Sequence, residues 1–157
     1  MSTPIHLSEF TENLEVEAKL ARGRDGQGAL PESIWETYSA FANTHGGTIF
    51  LGVGERHGQF FADGIPCPEQ VEEALWAGLN DPSQASHNLL DHSQVRTHIL
   101  PNGQSILIIV VPQAPRQLRP IYVGNSLYDG SYKRHESGDY HLEREEVEIM
   151  LAKRNQG

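Results

Sequence analysis

Apolar and polar residues alternate near the start of the chain: Leu14, Val16, Ala18 and Leu20 are interleaved with Glu15, Glu17 and Lys19. A period of two predicts a strand with one apolar and one polar face, so Glu17 and Lys19 point the same way. Glu12 has the parity of the apolar face, and it approaches Glu17 only if the chain turns before Leu14; a short helix around 7–13 is predicted there. Residues 21–29 combine three glycines with Arg22, Arg24 and Asp25 and read as a loop. From Pro31 the spacing turns helical, with Ile34, Trp35, Tyr38, Phe41 and Ala42 on one stripe, which predicts a helix over 32–45 stopped by Gly46-Gly47.

The run 48–53 is apolar and strand-forming throughout, the mark of a strand covered on both faces. Val71, Leu75, Trp76 and Leu79 predict a second helix over 68–79, and 81–91 reads as loop. Apolar runs at 95–100 and 105–111 flank Pro101-Asn102-Gly103-Gln104, a strong hairpin signal. Another strand pair is expected at 121–123 and 131–135, and Val147, Met150 and Leu151 mark a closing helix. These elements predict an α+β fold: one domain over 1–157 with a mixed β-sheet flanked by helices. The runs 48–53 and 105–111 are expected as interior strands of one sheet, with the 32–45 helix on its face.

Length and composition agree with a single globular domain: 157 residues, 38% hydrophobic and 21% charged. No apolar run is long enough to cross a bilayer, and no export signal follows Met1, so a cytoplasmic location without membrane partners is expected. The single cysteine, Cys67, excludes an internal disulfide and a multi-thiolate zinc site. A formal net charge of −9 excludes adhesion to nucleic acid through the whole surface, so any such binding must use a local basic patch. Gly52-x-Gly54 fails as a dinucleotide fingerprint because position 57 is His and no helix opens after Gly54, and no lysine follows a glycine-rich phosphate-binding run. No nucleotide cofactor is expected. The histidines, including His87, His92 and His98, match no metal-ligand spacing.

Three carboxylates, Glu12, Glu17 and Glu55, lie on either side of the segment 39–54. Brought together they could hold Mg2+ or Mn2+ against a phosphodiester, with Lys19 offsetting charge in the transition state. The alternative is a surface ion-pair cluster in which Lys19 is the permanent partner of Glu17. Arg116, Arg119, Lys133 and Arg134 share a stretch with Tyr122, Tyr128 and Tyr132, and guanidinium groups interleaved with rings can hold phosphates and stack unpaired bases. A solvated hairpin with buried tyrosines is the competing reading. Arg22 and Arg24 on the glycine loop form a second candidate contact.

The segments Glu12-x-x-x-x-Glu17-x-Lys19, Ser39-Ala-Phe-Ala-Asn-Thr-His-Gly-Gly-Thr48, Leu51-Gly-Val-Gly-Glu55, Arg119-Pro-Ile-Tyr122 and Gly130-Ser-Tyr-Lys-Arg134 together resemble the Schlafen AlbA_2 domain. The resemblance runs from about Glu12 to the closing helix. It implies nucleic-acid binding, RNA slightly favoured over DNA, and metal-dependent endoribonuclease activity on structured RNA such as transfer RNA, with Glu12, Glu17 and Glu55 in the places of the acidic triad. Ala18 stands where the family commonly has an aromatic residue, and Glu55 where aspartate is usual in the nucleases. Since those nucleases pair two lobes in one chain, the resemblance also implies a homodimer here. Two other classes remain: a non-catalytic DNA-binding or transcriptional regulatory module of a larger protein, and a pure oligomerisation domain.

Overall fold

The computed structural model describes residues 3–156. Its centre is a four-stranded mixed sheet in the order β2-β3-β7-β6, built from β2 (Val16–Lys19), β3 (Gly47–Leu51), β6 (Val95–Ile99) and β7 (Ser105–Val111). β2 runs parallel to β3, and β7 is antiparallel to both β3 and β6. The two apolar runs therefore become the interior strands, as their unbroken hydrophobicity requires. The Asn-Gly signal gives the β6–β7 hairpin, with Ile99 opposite Ser105.

Both faces of this sheet are covered. On one, Ile49, Leu51, Leu107, Ile109 and Val111 pack against Ile34, Tyr38 and Phe41 of α1 (Ile34–Asn43) and against Val71, Leu75 and Leu79 of α2 (Pro68–Leu79). On the other, Phe50, Ile106 and Ile108 meet Ile5, Leu7, Val53 and Ala62. These last residues belong to the N-terminal segment and to a three-stranded sheet, order β1-β5-β4, made of β1 (Thr3–Pro4), β4 (Val53–Arg56) and β5 (Gln59–Ala62). Tyr38 anchors α1 to the following loop: its hydroxyl donates to His87 O at 2.6 Å and accepts from Leu89 N at 3.0 Å. Burial pushes that phenol up to about 12, against the Leu89 hydrogen bond, which lowers it.

The 48–53 run is not one strand. Gly52 has φ +85°, and a Cβ there would lie 2.8 Å from Ile65, so the chain turns at this glycine and leaves the main sheet for β4. The first strand is shorter than its alternation suggests. It ends at Lys19, and Leu14 and Leu20 are solvent-exposed, Leu14 to 98%. In place of a helix over 7–13 there is a single 3-10 turn, Leu7–Glu9.

The pair expected at 121–123 and 131–135 is reduced to one isolated bridge between Tyr122 and Ser131. β8 (Tyr132–His135) pairs instead with β9 (Gly138–His141) through Glu136 and Ser137, both at positive φ. α3 (Arg144–Lys153) closes the chain, its N-terminus held by a reciprocal capping box of Glu143 and Glu146.

Candidate nucleic-acid interface and the carboxylate cluster

Register decides where the candidate carboxylates go. In the parallel pair, Glu17 lies beside Ile49 and Lys19 beside Leu51, so both acquire the face that carries α1. Glu17 there meets Arg134, whose side chain is only 2% exposed and lies over the ring of Phe41 at 4.9 Å. Arg134 Nη2 donates to Glu17 Oε1 at 2.8 Å, Nη1 donates to Asp139 Oδ1 at 2.8 Å, and Nε faces Glu15 at 3.7 Å, too far for a hydrogen bond. Burial alone would lower the pKa of the guanidinium. The hydrogen bonds and charges of Asp139 and Glu17 outweigh it, and the net direction is upward. Lys19 Nζ stands 4.0 Å from the other Glu17 oxygen and donates to Ser33 Oγ at 3.1 Å. Glu17 and Lys19 are thus members of an internal charge network centred on Arg134.

Glu12 lies elsewhere. Its neighbours Thr11 and Asn13 reach Thr48 Oγ1, each at 2.8 Å, and Glu12 itself lines a cleft with Ile5, Leu7, Val16 and Phe60. That is the sheet face from which Glu17 turns away. Glu55 is exposed on β4, beyond the Gly52 turn and opposite Phe60. Among the described residues no group of three or more His, Cys, Asp or Glu side chains is placed to hold a metal ion. The expected convergence of Glu12, Glu17 and Glu55 is therefore not realised in this arrangement. The physical reason is twofold: strand parity turns Glu17 to the α1 face, and there Arg134 binds one of its oxygens while Lys19 faces the other.

The motif 39–44 builds this network. Ser39 and Asn43 are buried on α1 and bind the incoming 121–132 segment: Ser39 Oγ donates to Ile121 O, Asn43 Nδ2 donates to Ile121 O and Tyr132 O, and Asn43 Oδ1 accepts from Ile121 N. Ser39 Oγ also accepts from Tyr132 N, and Thr44 Oγ1 accepts from Arg134 N at 2.9 Å. Gly46, at φ +76°, lets its N–H reach Phe41 O while a Cβ would lie 2.8 Å from Val111 O. These polar residues satisfy buried backbone groups and deliver Arg134 to Glu17.

The cations divide into two kinds. Arg22 is paired with Asp63 at 2.9 Å, Lys133 with Glu146 at 3.0 Å, and Arg134 is buried as described. Arg24 is exposed on the glycine loop and without a carboxylate partner among the described residues. Arg116 and Arg119 also have no such partner, and they flank a short turn facing the end of α3. Together with Lys153 they line a cleft of about 460 Å3, whose other walls are Glu146, Ile149, Met150 and Gln156. Arg154, beside them, donates to the carbonyls of Arg119, Leu118 and Pro120, and Arg116 donates to Gln156 O. Carbonyl oxygens fix these guanidinium groups without neutralising them, and the positive charge remains. Lys153 and Arg154 escaped notice in the sequence because a basic last turn is what any helix favours. Tyr132 does not join the cations: it lines a separate cleft with Glu32, Glu36 and Asp129. Burial first, then Glu36, Asp139 and Asp129, raises its pKa.

Residues 9–143 match the family described as Schlafen, AlbA_2. The chain belongs to that family. Membership makes this a nucleic-acid-related domain, and the α+β fold is common to the solved relatives. The solution structure of the N-terminal domain of an ATP-dependent DNA helicase RecG-related protein from Nitrosomonas europaea is similar at 28% identity with a TM-score of 0.58, over 88% of this chain and 90% of that one. A crystal structure from Corynebacterium diphtheriae shares the fold at 19% identity and a TM-score of 0.57. It covers 91% of this chain, which spans 24% of that protein. No curated protein matches the chain. No helix among the described residues is long and apolar enough to cross a membrane.

Proposed function

We propose that this AlbA_2 domain is a nucleic-acid-binding module that grips the phosphate backbone through Arg116, Arg119 and Lys153 and does not cleave it. The observation that carries this reading is that these cations gather on one cleft with no carboxylate partner among the described residues, in a chain of net charge −9. A local positive patch on an acidic surface attracts a polyanion to one place and repels it elsewhere. The kinship with the N-terminal domain of a DNA helicase-related protein supports a binding module within a larger assembly. The endoribonuclease reading needs Glu12, Glu17 and Glu55 on one cation, and Glu17 is held by Arg134.

Fluorescence anisotropy against salt tests the proposal. Binding that weakens steeply with salt, a shallower slope in R116Q/R119Q, and intact oligonucleotides after incubation with Mn2+ are expected. No binding at low salt contradicts the module, and cleavage under Mn2+ that is lost in E17Q restores the nuclease. A twofold dimer would set two such patches around one ligand; light scattering at tens of micromolar, an order-of-magnitude choice near weak-interface affinity, measures it.

A further inference from the structure

A second cleft adjoins the Arg116–Arg119 cleft at α3. Glu146 and Met150, which form part of the first cleft's wall, also line this second one, of about 630 Å3, with Lys133, His135, Tyr140, His141 and Glu143. The two clefts adjoin across α3, with those residues as their common wall. One has unpaired guanidinium groups, and the other is walled by the β8–β9 hairpin.

Strand parity fixes what that hairpin offers. Lys133 is opposite Tyr140, and Arg134 is opposite Asp139. Arg134 and Asp139 are turned inward to the buried network, so Lys133, His135 and Tyr140 share the outer face. Tyr140 is 52% exposed, with His135 edge-on to it at 6.4 Å between ring centroids. The ring lies against the hairpin backbone, its Cε2 2.9 Å from where a Cβ on Gly138 would be. A glycine at 138 thus leaves room for a ring lying close over the turn. Large exposed rings on a charged hairpin have no role in the core, and this one shares with Lys133 a cleft that adjoins the one lined by Arg116, Arg119 and Lys153.

We infer that these adjoining clefts take a single-stranded sugar-phosphate chain, with Tyr140 stacking an unpaired base in one and Arg116, Arg119 and Lys153 holding the phosphates in the other. The inference rests on the binding proposal above and names the ligand class for that surface. A duplex hides its base faces in its own stack and offers phosphates alone, so only an unpaired strand engages both clefts. DNA and RNA single strands have this chemistry in common.

The test is the affinity of the full chain for labelled oligo-dT, oligo-U and a mixed-sequence duplex at one salt concentration, for the parent, Y140A and Y140F. The parent is expected to prefer a single strand to the duplex, and Y140A to lose about fivefold or more of single-strand affinity with Y140F close to the parent. Duplex affinity, thermal midpoint and salt slope are expected to be unchanged in Y140A, since no phosphate contact is removed. The ratio of oligo-dT to oligo-U binding distinguishes the two sources of single strand. Equal loss for duplex and single strand, or no loss at all in Y140A, overturns the stacking platform while leaving phosphate binding in place. A parent that binds none of the three probes sinks the binding proposal itself, and this inference with it.

Discussion

Two charged regions of this domain look alike in the sequence and behave oppositely in the fold. Around β2, Glu15, Glu17 and Asp139 surround one arginine that is 2% exposed, and each of its terminal nitrogens meets a carboxylate oxygen at 2.8 Å. At the end of α3, Arg116, Arg119, Lys153 and Arg154 stand together, and the contacts of Arg116 and Arg154 are to backbone carbonyls. The first region spends its charge on holding β2, α1 and the β8–β9 hairpin together. The second keeps its charge available. An acidic triad beside a lysine is thus no evidence of a metal site until the positions of the arginines are known, and a modest basic turn becomes the better candidate for a polyanion.

The comparison breaks most visibly at Arg134. Replacing it with Met leaves Glu15, Glu17 and Asp139 with only Lys19, 4.0 Å from Glu17, as a counter-charge; removing one partner of a fully buried pair costs about 3–5 kcal/mol, and the partial exposure of these carboxylates reduces that to about 2–3 kcal/mol. A thermal or urea melt of R134M is expected to show a loss of that order. A melt like the parent's would mean that the network holds nothing. R116Q/R119Q is expected to do the reverse: unfolding unchanged within about 1 kcal/mol, with polyanion affinity down on the order of tenfold and the salt slope reduced by about 2.

Glu17 separates the two regions again. Mutual repulsion of three clustered carboxylates predicts that E17Q leaves stability unchanged or raises it. In the fold, Glu17 accepts from Arg134, so E17Q weakens a charge-assisted hydrogen bond and is expected to destabilise by about 1 kcal/mol, with nucleic-acid binding unaffected. Denaturant midpoints of parent and variant read the sign directly.

The smallest effect belongs to Glu146. Its carboxyl is held below the ordinary value of 4.5, first by the Glu143 N–H, against partial burial, and further by Lys133. A depressed carboxylate contributes stability that is fully present above that ordinary value and is lost as pH falls through its folded pKa. E146Q keeps the reciprocal cap, because glutamine serves at this position as glutamate does, and removes only the charge. It is expected to raise polyanion affinity a few-fold near neutral pH by freeing Lys133. It is also expected to remove that one contribution to the acid dependence of stability. Affinity equal to the parent's would show that Lys133 lies outside the field of the clefts.

Much of this fold was legible in the sequence. α1, α2, the interior strands and the Asn-Gly hairpin follow from periodicity and turn chemistry, because hydrophobic burial and local propensity act there in the same direction. The β8–β9 hairpin was misread because its turn is Glu136-Ser137, two non-glycine residues at positive φ, without the Asn-Gly signature found at 102–103. His57-Gly58 between Arg56 and Gln59 was the missed signal for the β4–β5 hairpin. The site was less legible still. Which carboxylate meets which cation depends on strand register and on Arg134, 117 residues from Glu17. Alternation in 14–20 could not say which face would carry a helix.

The central claim is that nucleic acid meets the α3 corner and not the carboxylates. Backbone amide NMR of the labelled domain, titrated with oligo-dT and then with oligo-U, tests it most directly. Shifts are expected at 116–119, 133–141 and 146–154, with residues 12–19 and 55 still. Shifts concentrated at 12–19 and 55, with the α3 corner unmoved, would contradict it.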